Sequence, residues 1–402
     1  MQRAREGFKK IGPAAAWREM EESLAALAAA DLVRRPVTVD SPAGPRVTVG
    51  GRELVCLCGN DYLSLAADAA VTSAAAAALR RWGVGAGASR LVSGTTRLHV
   101  ELEAQLAAFK GTEAALVTST GWAANHVAVA ALVGAGDLVL CDKLNHASII
   151  DACLAAGARL RTYPHRDTRR LAAILERHRH EYRRCLIVTD SLFSMDGDLA
   201  PLAELAELKE RFDALLVIDE AHATGVLGAG GRGAAELLGV EDRIDAVVGT
   251  LSKALGALGG FVAGRRQLID TIVNTGRAFI YTTALPPAIC AAAMESLRIV
   301  ADQPGRRRRL LELAGDLRGR LASAGLIPPS SGPATPIIPI LIGQAGKALR
   351  VSRALFEAGF LVPAIRPPTV PRNASRLRVS LCATHDPQDL ARFAEKLQAI
   401  LA

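Results

Sequence analysis

The most constraining feature of this chain is an alternation that begins at Ala114. Short apolar runs suited to strands recur at Ala115–Thr118, Leu138–Cys141, Arg159–Tyr163, Cys185–Thr189, Leu215–Ile218, Ala246–Val248 and Gly260–Ala263. Helical patterns lie between many of them, at Asn125–Val133, Ser148–Ala156, Thr168–His180 and Leu202–Phe212. Alternating strands and helices imply a mostly parallel sheet with helices on both faces. Most of the runs are apolar at nearly every position, as a sheet buried on both sides requires. Half of the 402 residues are hydrophobic and 22% are charged, enough apolar material for a large core. Only 4% are aromatic, so alanine, leucine, valine and glycine fill it, which favours close helix–sheet packing over an all-β sandwich.

Upstream, residues 15–33 read as an amphipathic helix ending near Arg34 and Arg35. Strand-like pieces follow at Val37–Val39, Val47–Val49 and Leu54–Cys58, then a helix Ala69–Trp82 closed by Gly83, and a helix His99–Phe109. The pattern changes after Ala284–Pro287 to a helix through about Val300, Arg-rich segments and a Pro/Ser-rich loop Ile327–Pro336. A strand Ile337–Ile342, a helix Ala348–Ala358, a strand Leu377–Cys382 and a helix Pro387–Leu401 complete the chain. The expected organisation is an N-terminal helix with short strands (1–60), a large α/β domain (61–287) and a smaller α+β domain (288–402).

Several function classes are disfavoured. The balance of 48 basic and 40 acidic residues leaves +8, but the arginines are dispersed and few aromatics interleave with them, so no nucleic-acid partner is expected. The seven cysteines form no Cys-x-x-Cys pair, which argues against a zinc knuckle and for a reducing compartment. Residues 1–12 carry Arg3, Arg5, Lys9 and Lys10 without an apolar core, so no secretory signal is expected. The long uncharged run Leu321–Gly346 is broken by five prolines, and Ala114–Gly136 is rich in Thr, Ser, Gly, Asn125 and His126. No membrane partner is expected, and the cytoplasm is the expected location. The glycine-rich Gly83–Arg90 follows a helix and not a strand, so it fails as a dinucleotide fingerprint.

Open parallel sheets bind ligands beyond the carboxyl ends of their strands. There, Gly121 and Trp122 open a helix whose amides suit an anion. Asp219, Glu220 and His222 follow one strand, and Thr250, Ser252 and Lys253 follow another. Lys253 is the sole charge between Asp245 and Arg265 and one of only eight lysines. A lysine in apolar surroundings loses its charge readily and becomes a nucleophile able to form a Schiff base, although a solvated surface lysine is the plainer reading. An amine, an anion cradle and a carboxylate are what pyridoxal phosphate requires.

The motifs Gly249-Thr250-Leu-Ser252-Lys253, Asp219-Glu-Ala-His222-Ala-Thr-Gly225, Ser194-Met-Asp-Gly197 and Asn145-His-Ala-Ser148 resemble those of the α-oxoamine synthases. These are fold type I pyridoxal phosphate transferases that join an amino acid to an acyl-CoA with loss of CO2. The resemblance runs from about residue 30 to the C-terminus and implies a mostly parallel seven-stranded sheet with a smaller α+β C-terminal domain. It also implies a homodimer with shared sites. By resemblance, Lys253 is the Schiff-base lysine and Cα base, His146 stacks on the cofactor ring, and Asp219 pairs with the ring nitrogen. His222 would bond the ring hydroxyl. Gly121, Trp122, Ser194 and Thr250 would contact the cofactor, and Arg34, His146, Thr369 and Arg378 would hold substrate, with Arg35 adjacent to Arg34 as a competitor. Trp122 stands where the family often has Phe or Tyr, and Asp190 where it often has Glu. The segment Ile365-Arg-Pro-Pro-Thr369-Val-Pro371, with Arg376-Leu-Arg378 after it, is most similar to the biotin-pathway branch, which uses L-alanine and a pimeloyl thioester. Glycine C-acetyltransferase and other branches are the alternatives. A non-catalytic subunit of a synthase would lack Lys253.

Overall fold

The computed structural model describes residues 12–329 and 332–402; the basic residues Arg3, Arg5, Lys9 and Lys10 lie outside the described residues. Helix α1 (Pro13–Ala29) precedes a hairpin, β1 (Arg46–Val49) and β2 (Arg52–Cys56), and helices α2 (Ala69–Trp82) and α3 (Arg97–Lys110). The alternation then runs β3 (Ala114–Thr118), α4 (Gly121–Leu132), β4 (Leu138–Asp142), α5 (Ala147–Ala155), β5 (Arg159–Tyr163), α6 (Thr168–His178), β6 (Cys185–Asp190), α7 (Leu202–Arg211) and β7 (Leu215–Asp219). It ends with a short α8 (Ala234–Leu237), β8 (Ala246–Thr250) and β9 (Gly260–Gly264). Helices α9 (Arg266–Thr275), α10 (Arg277–Ile280), α11 (Pro287–Asp302) and α12 (Pro304–Ser323) follow. The carboxy-terminal part comprises β10 (Ile337–Gly343), α13 (Ala345–Glu357), β11 (Phe360–Leu361), β12 (Ala364–Ile365), β13 (Ser375–Ser380) and α14 (Pro387–Leu401).

The seven-stranded sheet has the order β3-β9-β8-β7-β6-β4-β5, parallel except for β9, which runs antiparallel to both neighbours. Successive side chains of a strand point to opposite faces. Accordingly Ile187 joins one buried cluster with Leu140 and Leu216, while Leu186 and Val188 join the other with Val139 and Val217. Both faces are covered, so the strands contain few polar positions except at their carboxyl ends. The chain leaves β4 toward β5 on one side and returns as β6 on the other, which makes the gap between β4 and β6 the switch point of the sheet.

A second sheet, β10-β13-β12, is antiparallel. The amino-terminal hairpin is extended by β11, which pairs in parallel with β2 and ties chain ends about 300 residues apart. Helix α11 packs along α2 and α3.

Two expectations need correcting. Val37–Val39 forms no strand; Val37 and Val39 are 57% and 43% exposed and lie in an extended segment without strand pairing. The Arg-rich stretch after Val300 is helix α12, opened by Pro304 at a position that tolerates proline. Within it Arg306 pairs with Asp68 at 2.8 Å, and buried Arg307 donates to the carbonyls of Val300 and Ala229. Helix α4 starts at Gly121, where the sequence placed the opening of the helix, four residues before the helical pattern at Asn125; Thr120 caps it through Ala123 N at 3.0 Å.

Candidate active site

The carboxyl ends of β6, β7 and β8, the loop after β4 and the starts of α4 and α5 meet around a cavity of about 160 Å3. It is lined by Gly121, Trp122, His146, Asp219, His222, Thr250 and Lys253, so seven of the residues expected from sequence converge there. Gly260 makes the approach possible: a Cβ at that position would lie 2.6 Å from Gly121 N, so only glycine lets α4 start this close to β9. Thr120 occupies the amides of Ala123 and Ala124, leaving those of Gly121 and Trp122 at the cavity wall beside Thr250. The Thr250 hydroxyl lies 2.7 Å from Ser252 Oγ and donates to Gly259 O at 2.8 Å, which fixes the turn that presents Lys253.

Asp219 terminates β7. Its Oδ2 accepts from Asn125 Nδ2 at 2.7 Å and its Oδ1 from Ala221 N at 2.8 Å. The other Asn125 N–H goes to Ser148 Oγ at 2.9 Å, and Ser148 Oγ lies 2.8 Å from His146 Nδ1. One continuous set of hydrogen bonds therefore links His146 to Asp219. His146 also caps α5 while its exposed ring lines the cavity. Its backbone N–H donates to Asp190 Oδ2 at 2.6 Å across the switch point. Burial and the neighbouring Asp219 push the Asp190 carboxyl well above the usual carboxylate range.

Lys253 Nζ lies 2.8 Å from His222 Nε2. Burial, partly offset by Asp219 and Asp190, pushes the amine down to about 8. Burial and the facing Lys253 hold His222 well below its ordinary value. The amine thus gives up its proton near pH 8, well below an ordinary lysine.

The remaining expected residues stand apart from this cavity. Arg378, on β13, donates to Asn60 Oδ1 at 3.2 Å, to Ser380 Oγ at 2.7 Å and to the Tyr62 hydroxyl at 3.3 Å. Ser194 meets it through its backbone carbonyl, which accepts from Arg378 Nε. Arg34 and Thr369 meet each other at 3.3 Å, and Arg34 also donates to Pro367 O at 3.1 Å. Asn125, Ser148, Ser252, Asn60 and Tyr62 were not legible as site residues. The one available signal was the position of Asn125 a single turn after Gly121, on the same helix face.

The sequence model of the aminotransferase class I and II family matches residues 52–397. An 8-amino-7-oxononanoate synthase from Anaeromyxobacter dehalogenans (strain 2CP-1) is 52% identical over 370 residues, 92% of this chain and 92% of that protein. One from Pelobacter propionicus is 49% identical over 385 residues, 95% and 98% of the two chains. Among solved structures, a serine palmitoyltransferase variant from S. paucimobilis with a bound pyridoxal phosphate–myriocin aldimine superposes with a TM-score of 0.91 at 30% identity, covering 97% of this chain and 98% of that one.

Proposed function

The chain belongs to the aminotransferase class I and II family, and from that premise we infer that it is a pyridoxal phosphate-dependent acyltransferase. It condenses L-alanine with a pimeloyl thioester, with loss of CO2, to give 8-amino-7-oxononanoate, a step of biotin biosynthesis. The observation in the molecule that supports this reading best is Lys253: a buried amine beyond a strand end whose pKa is pushed down to about 8, facing a buried carboxylate and two helix-start amides.

The donor set fits the cofactor. The Gly121 and Trp122 amides with Thr250 and Ser252 suit a phosphate, and the α4 dipole favours its charge. Asn125 Oδ1 is buried without a hydrogen-bond partner among the described residues, a polar atom at the cavity wall still open to a donor. When bound, pyridoxal phosphate supplies an aldehyde for an amine and a ring that accepts the electron pair released at the amino acid's Cα.

We assign the roles as follows. Lys253 Nζ would be the attachment amine and would serve as base for the Cα proton; an amine near 8 is poised to accept and return it. Asp219 holds a proton on the ring nitrogen, and Asn125 orients that carboxylate. His146 covers one face of the ring. His222, whose Nε2 lies 2.8 Å from Lys253 Nζ, would bond the ring hydroxyl. Arg378 takes the amino acid carboxylate through its fork of donors. Arg34 and Thr369 meet the acyl donor.

Two further readings are part of the proposal. A homodimer is supported by the exposed apolar side chains Val84, Val92 and Tyr281, at 81%, 80% and 73%. A cytoplasmic location is supported by the seven free cysteines; among the described residues no helix is long and apolar enough to cross a membrane. The test is product identity. Purified enzyme is offered alanine, glycine or serine with pimeloyl, acetyl, succinyl or palmitoyl thioesters, and alanine with pimeloyl thioester should give the highest kcat/KM. Preference for glycine with acetyl-CoA would overturn the substrate pair while leaving the mechanism.

A further inference from the structure

Between Arg378 and Lys253 lies a residue to which the reaction has assigned nothing. Tyr62 is fully buried, and its hydroxyl sits 2.6 Å from His222 Nδ1. On the far side of the imidazole, Nε2 is 2.8 Å from Lys253 Nζ. The direction of these bonds follows from what each group can do. An arginine only donates, so the Tyr62 oxygen accepts from Arg378 Nη2 at 3.3 Å. The Tyr62 proton then has two acceptors in reach, Asn60 Oδ1 at 3.2 Å and His222 Nδ1 at 2.6 Å. Asn60 Oδ1 already accepts two N–H groups of Arg378, each at 3.2 Å. The much shorter contact takes the proton.

We propose that Tyr62 is a positioning residue that locks His222 in the Nε2–H tautomer, so that the imidazole donates to Lys253 Nζ and stabilises the amine in its neutral form. A neutral imidazole has one donor and one acceptor nitrogen, and the bond made by one fixes the other. An N–H aimed at Nζ needs the lone pair that an ammonium lacks. Without the Tyr62 hydroxyl, Nδ1 could keep the proton and Nε2 would accept from a lysine ammonium instead. The same tautomer leaves Nε2–H as a donor toward the cavity, which deepens the role assigned to His222 above and rests on that reading.

The charged and titratable groups around the pair are Asp219, Asp190 and Arg378 facing Lys253, and Arg378 and His146 facing His222. All come from other elements. Tyr62→Phe keeps the ring and removes one oxygen; Arg378 loses that acceptor and keeps Asn60 Oδ1 and Ser380 Oγ.

Two measurements decide the matter. In the full-length holoenzyme labelled with 15N-histidine, with the His222 signals assigned by their loss in His222→Gln, the shifts should report a protonated Nε2 and a bare Nδ1. The opposite pattern overturns the proposal. In the full chain stripped of cofactor, competitive acetylation across pH, read by mass spectrometry at Lys253, should show its pKa rising by about one unit in Tyr62→Phe, a tenfold change in the ratio of charged to neutral amine. An unchanged pKa overturns it. Failure of the broader reading looks different: a Lys253→Ala protein that still holds the cofactor covalently would remove the lysine's assigned role and leave the tautomer result standing.

Discussion

The site has two halves built in different ways. One is formed at the carboxyl ends of β4, β6, β7 and β8, where Asp219, Asn125, Ser148 and Asp190 are each no more than 5% exposed and bonded to one another or to backbone. The other is formed where the amino-terminal segment meets the carboxy-terminal part, with Arg34 and Thr369 exposed and joined across 335 residues of chain. Buried groups with fixed partners need no reorganisation as charge moves, so the strand-end half suits the chemical step. Exposed side chains bonded to backbone carbonyls can yield to a ligand, so the second half suits selection of substrate. Changes in the first half should lower kcat, and changes in the second should raise KM.

The largest expected effect is that of Lys253→Ala, which removes the proposed attachment amine and Cα base. Activity should fall by at least about 1000-fold, given the 10²–10⁴ typical of a single general base. The visible band of the lysine-linked cofactor should vanish with it. Retention of a borohydride-reducible cofactor link with normal turnover would break the assignment. Next comes Asp219→Asn, which leaves the hydrogen-bonding shape but removes the charge that keeps a ring nitrogen protonated. An opposite charge nearby shifts a pKa by 1–3 units, so Cα hydrogen–deuterium exchange on alanine should slow by about a hundredfold while the cofactor stays bound. Unchanged exchange would mean that Asp219 does not touch the ring.

The two halves also differ in how far they could be read from the sequence. Lys253 and Asp219 were legible because each is the charged residue that ends an apolar run, and in a doubly covered sheet a strand end is where a charge can stand. Helix α2 and the strand Arg159–Tyr163 have the expected bounds, the helix because Asp68 caps it and Gly83, at φ +80°, closes it. Asn125 and Tyr62 were not legible, since their partners lie 94 and 160 residues away and nothing local marks them. Strands β11 and β12 are two residues each, too short for any periodicity to show. A one-dimensional reading of the Arg-rich stretch cannot tell that Arg307 will find two backbone carbonyls in the interior.

A pH dependence of stability sharpens the comparison, because it acts on the scaffold of the first half alone. His165 bridges Asp142 at 3.0 Å and Asp198 at 2.9 Å, and Asp142 also accepts from Leu144 N at 2.8 Å, holding the loop that carries His146. Burial by itself would lower the His165 pKa, but the two carboxylates outweigh it and hold the ring up at about 9. A pKa raised on folding gives stability that is full below the unfolded value of about 6.5 and is lost as pH rises through 9. The loss should be roughly 2–3 kcal/mol, read as a falling midpoint in urea between pH 7 and pH 10. His165→Gln should start lower and flatten that profile. An identical profile in the variant would show that the bridge contributes nothing.

The smallest effect, and the one that most directly challenges the division, belongs to Arg34→Ala. Arg34 is exposed, and the acceptors it reaches are neutral: Pro367 O at 3.1 Å, Thr369 Oγ1 at 3.3 Å and Arg366 O at 3.4 Å. Arg366 makes the reciprocal contacts, donating to the carbonyls of Asp31 and Val33, so the two segments stay joined when one arginine is removed. A single hydrogen bond has a net worth of about 0.5–1.5 kcal/mol, and less where water can replace it. The variant should therefore show KM for the acyl thioester raised about three- to tenfold, with kcat within twofold of the parent and KM for alanine unchanged. Steady-state kinetics with each substrate varied in turn measures all three. If kcat fell as far as in Asp219→Asn, the exposed clamp would be part of the chemical step, and the contrast between a rigid strand-end half and a yielding peripheral half would no longer hold.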